Sequence, residues 1–279
     1  KSGSLSSIYS AGIAKDRTDQ AMNVYCVQFD SEWNDKDKNF TTVSALLNKH
    51  SVEKESLIVL PEMFATGFSL NPKLTTENEP DKTENFISTL AIQKNSWIMG
   101  GMCQPVGKDE MAYNTAVTFN PRGECISVYK KIHPIPALRE DQFHLPGNSV
   151  ESVALNSFKI TPAICYDLRF PELFRTGLSM GSNLFVILGC WPKSRIEHWV
   201  TLLKARAIEN QAYMIGVNRI GKDQKLEYGG RSMIISPTGE VLADALDETT
   251  VIQSTILETK VKEWRNSFPA VQEFLESKN

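Results

Sequence analysis

Residues 159–172 read Lys-Ile-Thr-Pro-Ala-Ile-Cys-Tyr-Asp-Leu-Arg-Phe-Pro-Glu, an apolar run that ends at Cys165 and is followed at once by a polar turn. The run over 159–164 is typical of a buried strand. A thiol at the end of such a strand is held rigidly and can be reached by a substrate, as a nucleophile must be. Free cysteines are more often plain core residues, so the interpretation of Cys165 depends on what surrounds it.

The other four cysteines have no neighbours that would activate a thiol. They are Cys26, Cys103 and Cys190, which lie in apolar strand-like segments, and Cys125. The five cysteines form no C-x-x-C pair and only four histidines are present, which indicates neither a disulfide framework nor a zinc site. We therefore expect no metal and a reducing, cytoplasmic location.

The composition argues against nucleic acids and membranes as partners. Thirty basic and 33 acidic residues give a net charge of -3, so no overall positive field exists. No segment approaches the roughly 18 consecutive apolar residues of a membrane span, and the start of the chain has no apolar export signal. With 41% hydrophobic and 23% charged residues, the chain is typical of a soluble globular protein, and a small molecule is the expected partner.

Residues 1–21 differ from the rest of the chain. They are rich in Ser, Gly, Ala and charged residues with little apolar periodicity, and we interpret them as a flexible or artificial leader. A first strand is predicted from residue 22, and no linker or low-complexity tract interrupts residues 22–269. We expect residues 22–279 to form a single domain.

Strand-like and helix-like segments alternate along this domain. Strands are predicted over residues 24–29, 56–60, 97–102, 159–164, 183–189 and 212–218. Helices are predicted over 35–49, 81–94 and 196–209, and hairpins over 113–129 and 232–244. This order predicts an α/β fold in which mixed sheets carry helices on one face, and two similar strand-helix blocks suggest a layered sandwich.

Two charged residues also stand where predicted strands end. Glu62 follows Pro61 at the rim of the sheet, and beside apolar Met63 its pKa should be raised by desolvation, which suits a general base. Lys131 follows the hairpin, and an ammonium there would stabilise a thiolate and then an oxyanion. Each residue alone is more typical of a surface charge. A carboxylate, an ammonium and the Cys165 thiol together indicate a catalytic site.

These motifs resemble the nitrilase superfamily of carbon-nitrogen hydrolases, which carry a Glu-Lys-Cys triad. The matching segments are Leu-Pro-Glu-Met-Phe at 60–64, Tyr-Lys-Lys-Ile-His at 129–133 and Ile-Cys-Tyr-Asp-Leu-Arg-Phe-Pro-Glu at 164–172. Glu140 corresponds to the family's second glutamate before a Pro-Gly, whereas Lys130 replaces a frequent aspartate. The resemblance implies a four-layer α-β-β-α sandwich, a homodimer, and no cofactor.

The resemblance also implies a mechanism. Glu62 takes the proton of Cys165, and the thiolate attacks an amide carbon. Lys131 and the backbone N–H of Tyr166 stabilise the oxyanion, while Glu140 positions the lysine and the amide. Glu62 then protonates the leaving ammonia and activates the water that hydrolyses the thioester.

Further segments resemble the bacterial omega-amidases, which hydrolyse the terminal amide of 2-oxoglutaramate and 2-oxosuccinamate. These segments are residues 190–195, 198–199, 202–211 and 216–219. The carboxylate of a 2-oxo acid needs a cationic partner, and arginine contacts it in bidentate fashion. Arg169 and Arg195 are the candidates, with Trp191 as an apolar wall. An ion pair of Arg169 with Asp167 or Glu172 is equally consistent with the sequence.

Several alternatives stay open. A nitrilase or an N-carbamoyl amide hydrolase would use the same triad with another pocket, and a catalytically idle member would bind a ligand or sense oxidation through Cys165. His133 raises the possibility of papain-like chemistry, but no orienting Asn or Asp motif accompanies it, which favours a hydrogen-bonded structural role. Arg206 and Glu209 are expected to form a buried polar brace.

Overall fold

The computed structural model describes residues 21–76, 81–107 and 111–277. The predicted leader lies outside these residues except for Ala21, which is the first residue of a strand.

The strands and helices follow one another along the whole described chain. The strands are β1 Ala21–Gln28, β2 Leu57–Val59, β3 Trp97–Pro105, β4 Ala112–Phe119, β5 Cys125–Lys130, β6 Val153–Leu155, β7 Phe158–Ile164, β8 Leu184–Gly189, β9 Tyr213–Asn218, β10 Ile220–Lys222, β11 Glu227–Gly229, β12 Met233–Ile235, β13 Val241–Asp244 and β14 Thr250–Leu257. The helices are α1 Lys36–Asn48, α2 Pro72–Thr75, α3 Lys82–Lys94, α4 Pro171–Ser179, α5 Ile196–Asn210, α6 Glu258–Ser267 and α7 Ala270–Glu276. Each predicted strand, helix and hairpin has a counterpart here.

The strands form two six-stranded sheets and one small hairpin, β10–β11. The first sheet has the order β14-β1-β2-β3-β4-β5 and the second the order β13-β12-β9-β8-β7-β6. Strands β1, β2 and β3 are parallel, as are β7, β8 and β9. Strand β5 runs in the direction of β3, because two antiparallel pairings separate them. The carboxyl ends of β2 and β5 therefore share one edge of the first sheet.

The two sheets pack face to face, and each carries helices on its outer face. Along β1, Val24 and Cys26 point into the core between the sheets, while Tyr25 and Val27 pack in a second core that includes residues of α1 and α3. This alternation is the period of a strand with both faces covered. Helices α4 and α5 cover the other sheet. The four-layer α-β-β-α sandwich is confirmed.

The sequence analysis missed elements whose pairing is distant along the chain. Strand β14 pairs antiparallel with β1, from Ala21 opposite Leu257 to Gln28 opposite Thr250. Helix α4 also went unpredicted, although Pro171 occupies a favoured first position. In the ranges that the structure describes, no helix combines the length and the apolarity that a membrane crossing would take.

Candidate active site

The predicted nucleophile begins a short 3₁₀ helix, Cys165–Arg169, directly after β7. Cys165 has a φ of +47°, a left-handed conformation that costs a residue other than glycine free energy. Asp167 fixes this turn, because its Oδ2 accepts hydrogen bonds from the N–H of Ile164 at 3.0 Å and from the hydroxyl of Tyr129 at 2.7 Å. The strained cysteine is therefore tied to β5 in the facing sheet.

His133 is part of the same anchor. Its backbone N–H lies 2.9 Å and its Nδ1 lies 2.8 Å from Asp167 Oδ1, and its ring stacks on Phe170 at 3.6 Å between centroids. The ring of His133 is hydrogen-bonded, as its structural interpretation predicted, and Asp167 is a carboxylate partner that the sequence analysis did not find.

Three charged groups meet in the interior beside Cys165. The Nζ of Lys131 lies 3.0 Å from Oε1 of Glu62 and 3.0 and 2.9 Å from the two carboxylate oxygens of Glu140. All three side chains are almost completely buried. Bringing one ammonium between two carboxylates offsets the large cost of removing three charges from water.

Backbone and amide donors hold the two carboxylates in place. The side-chain amide of Asn114 donates to Oε1 of Glu62 at 2.7 Å and to Oε1 of Glu140 at 2.9 Å. The N–H of Cys190 donates to Oε2 of Glu62 at 2.7 Å, and the N–H of Ile135 to Oε2 of Glu140 at 2.8 Å. Sequence reasoning missed Asn114, whose signal was an amide side chain within the strand that becomes β4.

The two carboxylates differ in their proton affinity. Burial raises the pKa of Glu62, and the charge of Glu140 adds to this, although Lys131 and Asn114 act in the opposite direction. For Glu140, burial also acts to raise the pKa, but the charge of Lys131 and the hydrogen bonds from Asn114 and Ile135 outweigh it and lower the pKa. Two carboxylates with diverging pKa values are typical of a proton-transferring group beside a permanent counter-ion.

The Cys165 thiol has a pKa well above its ordinary value, because of burial and of the negative charge of Glu62. Lys131 lowers it, as the sequence analysis expected, but does not outweigh the other two effects. A thiol in this environment is neutral at pH 7. It reacts as a thiolate only when a base removes its proton, and Glu62 is the carboxylate with the raised pKa.

Two glycines allow the backbone to bring these groups together. A Cβ on Gly101 in β3 would lie 2.5 Å from Cα of Glu62, and one on Gly147 would lie 2.2 Å from the carbonyl oxygen of Lys130. Glycine at both positions permits approaches that no other residue allows. The glycine of the Pro-Gly after Glu140 therefore has a steric function. Because Gly147 has no Cβ, its backbone lies close enough for its N–H to donate to the carbonyl of Lys131 at 2.7 Å.

Trp191 contacts both arginines that the sequence analysis proposed for substrate binding. The guanidinium of Arg169 lies 4.7 Å from the ring centroid of Trp191 and 5.9 Å from that of Tyr166. In the described chain neither Asp167 nor Glu172 forms an ion pair with Arg169, so that alternative is wrong. Arg195 is brought near Trp191 through its backbone, whose carbonyl accepts the indole N–H at 2.7 Å.

Arg206 contacts the 3₁₀ turn that begins at Cys165. It forms the predicted brace with Glu209 at 2.9 Å, and its Nη2 also donates to the carbonyl of Leu168 at 3.0 Å. Lys130 is exposed, consistent with a surface variation of the family pattern. Within residues 21–76, 81–107 and 111–277, no cluster of three or more His, Cys, Asp or Glu side chains is arranged to hold a metal ion.

The chain is similar to known carbon-nitrogen hydrolases over most of its length. The sequence model for carbon-nitrogen hydrolases matches residues 23–266. A "Hydrolase in agr operon" of Staphylococcus aureus is 34% identical over 253 residues, 89% of this chain and 96% of that protein. A 2-oxoglutaramate amidase of Paenarthrobacter nicotinovorans is 37% identical over 235 residues, 80% of this chain and 79% of that protein.

A similar structure has also been solved. It is the crystal structure of XC1258 from Xanthomonas campestris, a CN-hydrolase superfamily protein with an arsenic adduct in its active site. The two chains are 29% identical and superimpose with a TM-score of 0.84, over 91% of this chain and 97% of the other.

Proposed function

The chain belongs to the carbon-nitrogen hydrolase family, and from that premise we propose that it is an omega-amidase that releases ammonia from 2-oxo acid monoamides such as 2-oxoglutaramate. The observation that carries the proposal is the buried ammonium of Lys131 between Glu62 and Glu140, next to the strained turn of Cys165. The likeness to a 2-oxoglutaramate amidase supports the choice of substrate.

Acylation begins with proton transfer from the Cys165 thiol to Glu62, whose raised pKa suits a group that accepts and later returns a proton. The thiolate attacks the amide carbon, and the carbonyl oxygen becomes an oxyanion. When the C–N bond breaks, Glu62 returns the proton to the leaving nitrogen and ammonia departs. The acyl group remains on Cys165 as a thioester.

Lys131 is suited to stabilise the oxyanion. An ammonium has three N–H groups; Glu62 takes one, and the two oxygens of Glu140, at 3.0 and 2.9 Å, can share another. The third N–H is then directed at the oxyanion, together with the backbone N–H of Tyr166. A fixed charge in a buried site stabilises such an anion much more than it would in water.

Deacylation uses the same groups in reverse. Glu62 takes a proton from water, the hydroxide attacks the thioester carbon, and the C–S bond breaks. The thiolate recovers the proton from Glu62, and the products are the 2-oxo dicarboxylate and ammonia. Arg169, stacked against Trp191, is the proposed partner of the 2-oxo carboxylate.

A panel of substrates with ammonia release as the readout tests the proposal. The enzyme should hydrolyse 2-oxoglutaramate faster than glutamine, an N-carbamoyl amino acid or an aliphatic nitrile. If a nitrile or an N-carbamoyl substrate were hydrolysed fastest, the protein would be assigned that activity instead of omega-amidase activity. Cys165→Ala should abolish turnover without unfolding the protein, whereas Cys125→Ala, at an exposed cysteine, should retain it. Absence of any amide hydrolysis by the wild type would favour a catalytically idle protein.

A further inference from the structure

A cavity of about 570 Å³ lies beside the buried charged groups, and we call it the vestibule. Its walls come from residues 68–71 and 73–74, which follow Glu62 along the chain, from residues 138–139 and 142–143 on either side of Glu140, and from residues 223–226, with Trp33 and Asn34 completing it. The segments that carry the two carboxylates thus continue into the vestibule walls. This continuity makes the vestibule an outer compartment of the same site.

Phe68 stands between the vestibule and the reaction chamber, which we define by Glu62, Lys131 and Cys165. Its ring centroid lies 5.7 Å from Nζ of Lys131, and the same residue lines the vestibule. None of the three chamber residues contributes to the vestibule wall. Phe68 and Cys165 are each only 7% exposed. The phenyl ring therefore closes the chamber on the vestibule side.

The backbone holds Phe68 firmly in this position. Gly67, with a φ of +68°, turns the chain just before it, and the N–H of Ser69 donates to the carbonyl of Gly67 at 2.7 Å. A Cβ on Gly67 would lie 3.0 Å from the guanidinium of Arg219, which is itself buried and pairs with Asp30 at 2.8 Å. Because the backbone at Phe68 is held in place, the phenyl ring forms a rigid wall. It sets a fixed limit on the length of the acyl group that the chamber accommodates.

The vestibule has space and charge for the far end of a longer substrate. Apolar side chains such as Leu74 and Leu138 line it, together with the cations Arg139 and Lys225 and the acid Asp223. An apolar wall with excess positive charge favours a methylene chain that ends in a carboxylate. That is the chemistry of a dicarboxylic monoamide longer than 2-oxoglutaramate.

We propose that Phe68 is the specificity-determining residue that limits the length of the amide's acyl chain, by closing the reaction chamber off from the vestibule. This inference rests on the proposed amidase function and names what restricts its substrate class. Shortening the side chain joins the two spaces. A longer acyl chain then places its carboxylate in the vestibule instead of at Arg169, the partner proposed for the shorter substrate, while the amide remains at Cys165.

The test compares kcat/KM for 2-oxoglutaramate and its homologue with one more methylene group, 2-oxoadipamate. Phe68→Ala should raise the ratio of the longer to the shorter substrate roughly tenfold or more, the discrimination that one methylene provides in an apolar pocket. Phe68→Leu should raise this ratio by a smaller factor, and it replaces the alanine variant in the test if that variant fails to fold. Phe268→Ala, at a 57% exposed phenylalanine between α6 and α7, is the matched control and should leave the ratio unchanged.

An unchanged ratio in both Phe68 variants, or an equal loss for both substrates, would overturn the inference while leaving the amidase proposal intact. If the wild type rejects 2-oxo monoamides but hydrolyses plain aliphatic amides, the proposed substrate is wrong. The ratio of kcat/KM for hexanamide to that for butyramide is then compared between the wild type and the Phe68 variants. A higher ratio in the variants supports the length limit, and an unchanged ratio overturns it. A wild type that hydrolyses no amide overturns both proposals.

Discussion

The backbone N–H of Cys190 donates a 2.7 Å hydrogen bond to Oε2 of Glu62, so the second sheet holds a carboxylate that belongs to the first. Cys190 follows β8, the strand next to the one that ends at Cys165. Oε1 of the same carboxylate accepts hydrogen bonds from Lys131 and Asn114, both from the first sheet. The site is therefore complete only when the two sheets are docked, and activity reports on that docking.

Replacing Asn114 with leucine should raise the pKa of both Glu62 and Glu140, because the amide lowers both. Since the proposed mechanism requires Glu62 ionised to accept the thiol proton, the acid limb of the pH profile of kcat/KM should move to higher pH. Hydrogen bonds to charged groups contribute about 1.5–3 kcal/mol, which corresponds to roughly a tenfold to hundredfold loss of kcat/KM at neutral pH. Steady-state kinetics across the pH range provides the measurement.

Asn120 is the control, because it lies in the β4–β5 turn, where its amide contacts Glu124. Asn120→Leu should leave the midpoint of the acid limb in place even if it reduces stability. A leucine at position 114 that lowers activity uniformly, with no movement of the acid limb, would mean that Asn114 acts through packing alone.

The sequence could predict which groups meet in the candidate site because Glu62, Lys131 and Cys165 each follow a predicted strand. The common direction of β2 and β5 brings Glu62 and Lys131 to one edge of the first sheet, and the face-to-face packing of the sheets places Cys165, which follows β7 of the second sheet, beside them. It could not show that two carboxylates and burial outweigh Lys131 at the Cys165 thiol, since that depends on distances across the sandwich. The roles of Asn114 and Phe68 were hidden for the same reason.

Replacing Lys131 with methionine should destabilise the fold strongly at pH 7, since it leaves two buried carboxylates without their counter-ion. Removing one partner of a buried ion pair costs about 3–5 kcal/mol. Without the ammonium, burial raises the folded-state pKa of Glu62 and Glu140 above their unfolded values, so the penalty is present above the unfolded pKa and shrinks as the pH falls and both become protonated. Urea unfolding at pH 7 and at pH 5 should show a smaller difference from wild type at pH 5.

Lys130→Met is the neighbouring control, because this exposed ammonium lies over the ring of Tyr113 at 4.1 Å. An exposed cation–π contact contributes about 0.5–1 kcal/mol, and its loss should not depend on pH in this range. Equal destabilisation of Lys131→Met at the two pH values would contradict the assigned charge states.

Replacing Asp167 with asparagine should weaken both the fold and the nucleophile turn. Each carboxylate oxygen accepts two hydrogen bonds, so the amide NH₂ faces two donors whichever way it turns. We expect a loss of about 3 kcal/mol of unfolding free energy together with a lower kcat. Tyr129→Phe removes one of these four bonds and a longer one of 3.4 Å from the N–H of Ile132, and it should lose about half as much. Urea denaturation and steady-state kinetics of both variants provide the measurement. Equal losses of unfolding free energy and of kcat in the two variants would show that the four contacts do not act together.

Replacing Gly101 with alanine should damage catalysis more than stability, because the added methyl would lie 2.5 Å from Cα of Glu62 and 2.7 Å from the N of Met63. Both neighbours are backbone atoms, so the segment that carries Glu62, the proposed general base, must shift, and a small misplacement of a catalytic group costs about a hundredfold in rate. Gly100→Ala, one residue earlier in β3, meets only the side-chain ends of Ile87 and Phe64 at 3.3 Å, which can adjust. The measurement is kcat for both variants beside their thermal unfolding midpoints. If Gly100→Ala lost as much kcat as Gly101→Ala, the effect would belong to strand β3 as a whole rather than to the position of Glu62.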